Sequence, residues 1–279
     1  MREPLLAFVH IEKAAGTTLI YLLRRNFLLR YLDVRPLHAT SNGIFTARDL
    51  RTCLRINPFL RCIGGHAIRP FSELERVAHD LRYITLLRNP IQRYLSQYRY
   101  WVTSLNKNWT FERFLEHEPS HDFQTRKIAG SNAVAEAKRL LAERFFLVGV
   151  AEQFDEFLVE LQGKLQPTRF DPCHTARNVA TGSTSVVTDR FEDYEARIRA
   201  NNARDLELYA FATEELIPRQ RAAYAGDFSS ALMQFRSRNQ QDRGTDARLL
   251  LDAISRKVYC EPTMGLLRAL HGMPMRGSY

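Results

Sequence analysis

Three short clusters in this chain hold residue types that bind anions or move protons. The first is His10–Leu19, HIEKAAGTTL. Its small residues Ala14, Ala15 and Gly16 let a backbone turn approach an anion closely. The amides at a following helix start, with the dipole behind them, favour phosphate or sulfate. Lys13 adds a point charge, and Thr17 and Thr18 add hydroxyl donors. The common nucleotide loop, G-x-x-x-x-G-K-[ST], carries its lysine after the last glycine, whereas Lys13 precedes the turn. The bland alternative is a helix that needs small residues to pack against a strand.

The second cluster, RNPIQRYLSQY, begins at Arg88, with Ser96 about two helical turns further on. An arginine fork and a hydroxyl so placed can clamp a second phosphate. Taken alone, Arg88 reads equally as a surface ion pair and Ser96 as a solvated helix position. The third cluster is Gly64-Gly65-His66. A neutral imidazole there can take a proton near physiological pH. The chain has eight histidines, and most must be structural; His66 stands out because it follows a strand and a glycine pair. His10 reads as packed or hydrogen-bonded inside the first strand, and Glu12 and His121 are the alternative bases. Two anion sites on a basic chain suggest a nucleotide with phosphates at both ends.

These clusters need elements that bring them together. Leu5–Ile11 is a continuous apolar run of the kind buried on both faces of a parallel sheet. Leu19, Leu22, Leu23 and Phe27 then recur at helical spacing within TTLIYLLRRNFLLRYL, with Thr17 or Thr18 available to cap. Phe59–Ile63, Tyr83–Leu87 and Phe145–Val150 are further strand candidates. Asn89 and Pro90 suit the cap and first position of the helix after the third run. Helices are also expected over Ser72–Ala78, Phe111–His117, Phe123–Ile128, Ala133–Glu143, Gln153–Leu161 and Phe191–Glu215. Residues 163–189 read as a long polar loop, within which Asn178–Ser185 could close over a ligand. Strands alternating with helices predict an α/β fold. Its ligands should sit beyond the carboxyl ends of the strands, where all three clusters fall.

Lys and Arg total 40 against 31 Asp and Glu, a net charge of +9, which favours anionic partners. The basic residues are scattered and no nucleic-acid-binding motif is present, so a nucleic-acid-binding module is disfavoured. Four cysteines, none in C-x-x-C spacing, argue against a zinc site and read as free thiols, although the Cys53–Cys62 spacing permits a disulfide. No apolar stretch is long enough to span a bilayer, and residues 1–11 read as a strand rather than a signal peptide. The expected location is cytoplasmic, including the inner membrane surface.

The residues quoted above resemble a known family. FVHIEKAAGTT is similar to the 5′-phosphosulfate loop of sulfotransferases, and LLRNPIQRYLSQYRY to their 3′-phosphate-binding strand and helix. The resemblance is to the group that includes the heparan sulfate 2-O- and 6-O-sulfotransferases, whose donor is 3′-phosphoadenosine 5′-phosphosulfate (PAPS). GGHAIRPF resembles the segment that carries the catalytic base in the 2-O enzymes. FQTRKIAG, LVGVAEQFDEF and NARDLELYAFA resemble further stretches, so the likeness runs from about residue 5 to residue 215. It departs at Ala14, which supplies no hydroxyl, and at Gly64, where the 2-O enzymes have a second histidine.

The resemblance implies a P-loop-like three-layer sandwich around a mainly parallel sheet. It implies a sulfotransferase domain over 1–225 and a C-terminal extension over 226–279 packed on it. Lys13, Ala14, Ala15, Gly16, Thr17 and Thr18 would hold the 5′ end of PAPS, and Arg88 and Ser96 the 3′-phosphate. Lys13 would neutralise charge on the bridging oxygen as adenosine 3′,5′-bisphosphate leaves, and His66 would deprotonate the acceptor hydroxyl. Arg126 would touch cofactor or acceptor. The moving sulfuryl group carries less charge than a phosphoryl group, so no metal is expected. The acceptor is expected to be a glycan, glycolipid or peptide, with carbohydrate favoured and peptide tyrosine the alternative. A P-loop kinase-like phosphotransferase using ATP and magnesium is the competing reading.

Overall fold

A computed structural model of the chain describes residues 4–166, 169–174, 191–241 and 246–275. Five strands form one sheet: β1 Leu5–Val9, β2 Tyr31–Asp33, β3 Cys62–Gly65, β4 Leu81–Leu87 and β5 Phe145–Val150. Their order is β2-β3-β1-β4-β5, and every neighbouring pair is parallel. β1 lies in the middle, and all five of its residues are buried, as its unbroken apolar run requires. Flanking helices before the polar 163–189 stretch are α1 Gly16–Phe27, α2 Ala47–Ile56, α3 Pro90–Arg99, α4 Phe111–Leu115, α5 Phe123–Ala129, α6 Val134–Arg144 and α7 Phe154–Lys164. After it come α8 Phe191–Asn201, α9 Ala203–Phe211, α10 Ile217–Ala222, α11 Phe228–Gln241, α12 Asp246–Ile254 and α13 Glu261–Leu270. The architecture is the expected α/β sandwich. Phe235, Cys260, Met264 and Leu267 join the same apolar core as the sheet.

Several local expectations give way to the structure. Neither Thr17 nor Thr18 caps α1; the cap is Ala15, in the left-handed conformation and without a side-chain hydrogen bond. α1 stops at Phe27 because Leu28 takes a φ of 48°, and the chain then re-enters the sheet as β2, a strand absent from the sequence reading. Phe59–Ile63 joins the sheet only from Cys62, and Phe59 is 72% exposed. Ser72–Ala78 is not a helix. Pro70–Ser72 and Leu74–Arg76 form separate single turns, divided by Glu73 at φ 53°. α2, also unforeseen, starts in a capping box: Asp49 N donates to Thr46 Oγ1 at 3.3 Å, and Thr46 N donates to Asp49 Oδ2 at 2.9 Å.

Other local expectations hold. Asn89 caps α3 by accepting from Gln92 N at 3.2 Å, and Pro90 takes the first helical position. β5 has the expected bounds. Beyond Arg99, α3 widens into a turn over Tyr100–Ser104. All four cysteines are buried free thiols, so Cys53 and Cys62 are not bridged. Asn178–Ser185 lies outside the described residues. Among the described residues no helix is long and apolar enough to cross a membrane.

Candidate functional site

The three clusters follow three adjacent strands. β1 lies between β3 and β4, with Val9 opposite Gly65 on one side and Thr85 on the other. His10–Thr18, His66 and Arg88 are therefore gathered at one carboxyl edge.

The turn after β1 is built from unusual backbone. Lys13 at φ 68° and Ala15 at φ 59° are both left-handed without being glycine, a cost tolerated mainly where the conformation is needed. Such turns point successive amides toward one concavity. The amides of Gly16 and Thr17 open α1 and have no partner within the helix by position. Thr17 is exposed, whereas Thr18 is 5% exposed.

Lys13 and Arg88 come together here. Arg88 Nη1 donates to the carbonyl oxygen of Lys13 at 3.0 Å. Gln124 fixes the base of the arginine: Arg88 N donates to Gln124 Oε1 at 2.9 Å, and Gln124 Nε2 donates back to Arg88 O at 2.9 Å. The Lys13 ammonium lies 4.3 Å from the centroid of the Tyr100 ring, which the wide turn after α3 carries into place. Burial lowers the Lys13 pKa, and the nearby cations Arg88 and Arg99 lower it further. Burial lowers the Arg88 pKa too, against the attraction of Glu152. Three cations thus crowd one edge, an arrangement that a polyanion would relieve. Ser96 is half-buried on α3.

His66 belongs to a second group beside the first. Its Nδ1 lies 3.1 Å from Glu12 Oε1. Its side chain is 36% exposed. Lys127 Nζ lies 3.1 Å from both oxygens of Glu12 and donates to the His66 carbonyl at 2.8 Å. Arg69 Nη1 donates to the same carbonyl. Burial alone would raise the Glu12 carboxyl, but the hydrogen bond with His66 and the charge of Lys127 outweigh it and hold the group well below the usual carboxylate range. Burial brings the Lys127 pKa down to about 8 in spite of Glu12, with Arg69 and Arg93 adding to the fall.

His10 lies one residue past β1 rather than inside it. Its ring stacks on His66 at 3.9 Å between centroids and on Phe8 at 5.3 Å. Burial, then the neighbouring His66, push its pKa well below 6.5. Gly64, the position of the missing second histidine, has no room for a side chain: a Cβ there would meet the Tyr31 hydroxyl at 2.5 Å.

Two expected participants lie elsewhere. His121 Nε2 contacts the Leu115 carbonyl at 2.9 Å. Arg126 is exposed and donates to the Glu118 carbonyl at 3.0 Å. The buried neighbour in FQTRKIAG is Lys127, whose place four residues after Phe123 was the readable sign that it shares the inner face of α5. Tyr100 falls four residues after Ser96, on the helix face that the spacing also gives to Arg93, but no role was read for it; Arg99 and Arg69 were not singled out, and nothing in their local spacing marks them. Among the described residues no three His, Cys, Asp or Glu side chains converge as a metal-binding set.

A crystal structure of a sulfotransferase from Alicyclobacillus acidocaldarius is similar at 15% identity and a TM-score of 0.42, covering 74% of this chain and 98% of that one. No curated protein matches the chain in sequence. The sulfotransferase family model matches residues 2–171, the stretch that contains the anion turn, His66 and the Arg88–Ser96 segment. With more than half of its length matched by that model, the chain belongs to the sulfotransferase family.

Proposed function

We propose that this sulfotransferase takes its sulfuryl group from PAPS and delivers it to a hydroxyl on a carbohydrate or glycoconjugate, with His66 as the base. The observation that carries the reading is the convergence of Lys13 and Arg88 from two adjacent strand ends, joined at 3.0 Å. The donor set suits the nucleotide: the Lys13 ammonium, the Ala14–Thr18 turn and the first amides of α1 for one anionic end, Arg88 and the Ser96 hydroxyl for the other. Residues 1–225 carry this machinery, and 226–279 form an extension on the same core.

The bound donor would supply an electrophilic sulfuryl group. The chain supplies alignment and charge, the main needs of such a transfer. Lys13 would hold the bridging oxygen and offset the charge that grows there. The Glu12 carboxylate, 3.1 Å from Nδ1 of His66, would hold a proton on that side of the ring and leave Nε2 to receive the acceptor proton. Lys127 and Arg69, both on the His66 carbonyl, hold the turn that aims this ring. The excess of basic residues suits an acidic saccharide.

Calorimetric titration with adenosine 3′,5′-bisphosphate and with ATP, each with and without magnesium, tests the reading. The expected result is tight bisphosphate binding without metal and weaker ATP binding. Magnesium-dependent preference for ATP overturns it. An acceptor panel then separates saccharides from tyrosine peptides.

A further inference from the structure

The opposite, amino-terminal edge of the sheet carries an apolar cap that sulfuryl transfer does not use. Leu29 follows α1, Ile56 ends α2, Phe59 lies just before β3, and Val258 lies in the wide turn Ser255–Cys260 that leads into α13. They are 64%, 60%, 72% and 70% exposed. Asn57 pins the three segments together. Its Nδ2 donates to the Leu29 carbonyl at 2.7 Å and to the Tyr259 hydroxyl, and its Oδ1 accepts from Phe59 N at 3.0 Å. Scattered exposed apolar residues are ordinary. Four large ones fixed outward at a single edge are a surface.

Exposed cations flank the cap. α2 exposes Arg51 and Arg55, four residues apart on one face, in the half of the helix that ends at Ile56. Arg256 and Lys257, both exposed, precede Val258. Acids lie nearby as well: Glu261 stands 3.9 Å from Arg256, Asp80 lies just before β4, and Glu75, in the turn packed against α2, pairs with Arg144. Arg51, Arg55, Arg256 and Lys257 are the exposed cations closest along the chain to the apolar residues.

We propose that this edge docks the protein on an anionic phospholipid bilayer. Phe59, Ile56, Leu29 and Val258 enter the boundary between headgroups and acyl chains, while the arginines and Lys257 meet lipid phosphates. The charge selects this occupant: an apolar patch shared with a second copy would set this cationic rim against itself. Docking by this edge turns the carboxyl ends of the strands, with Lys13, Arg88 and His66, away from the membrane by about the length of a strand, roughly 20 Å. The transferase cleft then opens to water and not to the headgroups beneath it.

Flotation of the full chain with vesicles tests the proposal. The expected result is binding to phosphatidylcholine vesicles containing phosphatidylglycerol, no binding to phosphatidylcholine alone, and release by salt. Phe59→Asp together with Val258→Asp should lower the bound fraction at least about tenfold. Arg51→Glu together with Arg55→Glu should lower it by a similar factor. The altered side chains are exposed, so thermal unfolding and adenosine bisphosphate binding should be unchanged in all variants, which keeps the result independent of the transferase reading. Absence of flotation with phosphatidylglycerol, or flotation unaffected by Phe59→Asp with Val258→Asp, overturns the proposal. So does a dimer in sedimentation that the same pair dissociates, because the cap would then be an interface between copies.

Discussion

The ring of His10 occupies the space that a side chain at Gly16 would need: a Cβ at Gly16 would fall 2.0 Å from His10 Nε2. Gly16 has no positive φ, so the glycine is required by close approach and not by backbone conformation. The ring cannot withdraw easily, since it is 6% exposed and stacked between Phe8 and His66. Gly16→Ala should therefore cost about 2 kcal/mol, the usual scale of overpacking, and should disturb both the anion turn and His66. His10→Ala should give back part of that loss. A double-mutant cycle on thermal or denaturant unfolding should show a coupling of about 1 kcal/mol or more between the two sites. Strict additivity would mean that the turn bends away from the ring without strain.

Glu12 makes stability depend on pH in a stated direction. Its carboxyl is held below the usual range by His66 and Lys127. A lowered folded pKa contributes stability that is fully present above the unfolded value of about 4.3 and is lost as pH falls through the folded one. Glu12→Gln leaves Lys127, whose side chain is 3% exposed, without its counter-charge. At neutral pH the variant should lose about 3 kcal/mol. The gap between wild type and variant in unfolding midpoint should shrink as the solution is acidified below about 4.3. A gap that stays constant on acidification would show that the lost packing, not the charge, sets the cost.

How much of this was legible varies with the physics behind each feature. β1 and β5 were readable because a buried parallel strand must be apolar throughout, and the cap at Asn89 because the Asn-Pro pair has a local meaning. β2 was not, since Tyr31–Asp33 is three residues long and continues a helical apolar pattern. Its pairing with Cys62–Gly65 is a long-range fact. The lysine before the turn and the arginine after β4 were visible as types, but only the strand order shows that they meet. Lys127 carries a phase on α5 that the sequence holds, yet the side chain was passed over in favour of Arg126. The stacking of His10 on His66 and the filling of the Gly64 position by Tyr31 depend on contacts between separate strands, which spacing along the chain does not encode.

The crowding of Lys13, Arg88 and Arg99 predicts a proton signature for binding. With Lys13 lowered by burial and by its cationic neighbours, a bound polyanion should raise its pKa toward the ordinary lysine value. Binding of adenosine 3′,5′-bisphosphate should then take up protons, increasingly so as pH rises into the alkaline range. Titrations in buffers of different ionisation enthalpy measure this directly. Lys13→Ala should abolish the uptake and weaken binding by about tenfold to a hundredfold, the scale of a charge-assisted hydrogen bond. Arg88→Lys keeps the charge and loses the fork, so it should weaken binding while leaving the uptake in place. Uptake that survives Lys13→Ala would assign the titrating group elsewhere.

His66→Ala separates chemistry from binding. The ring meets the chain through Glu12 at Nδ1 and through its stack on His10, whereas its carbonyl, held by Lys127 and Arg69, is retained in the variant. The turn should keep its shape and the anion site its affinity, with the bisphosphate dissociation constant within about twofold of wild type. Turnover should fall by about 10²–10⁴-fold, the usual contribution of a positioned base. Glu12 should not replace it, because a carboxylate held well below its usual range and engaged by Lys127 is a weak proton acceptor. Glu12→Gln measured alongside distinguishes the roles: a positioning residue should lower turnover less than His66→Ala does and move the acidic limb of the pH–rate profile, while a base should remove the limb. If His66→Ala instead abolishes bisphosphate binding with turnover, the imidazole belongs to the nucleotide site and the base must be sought among the groups that face it.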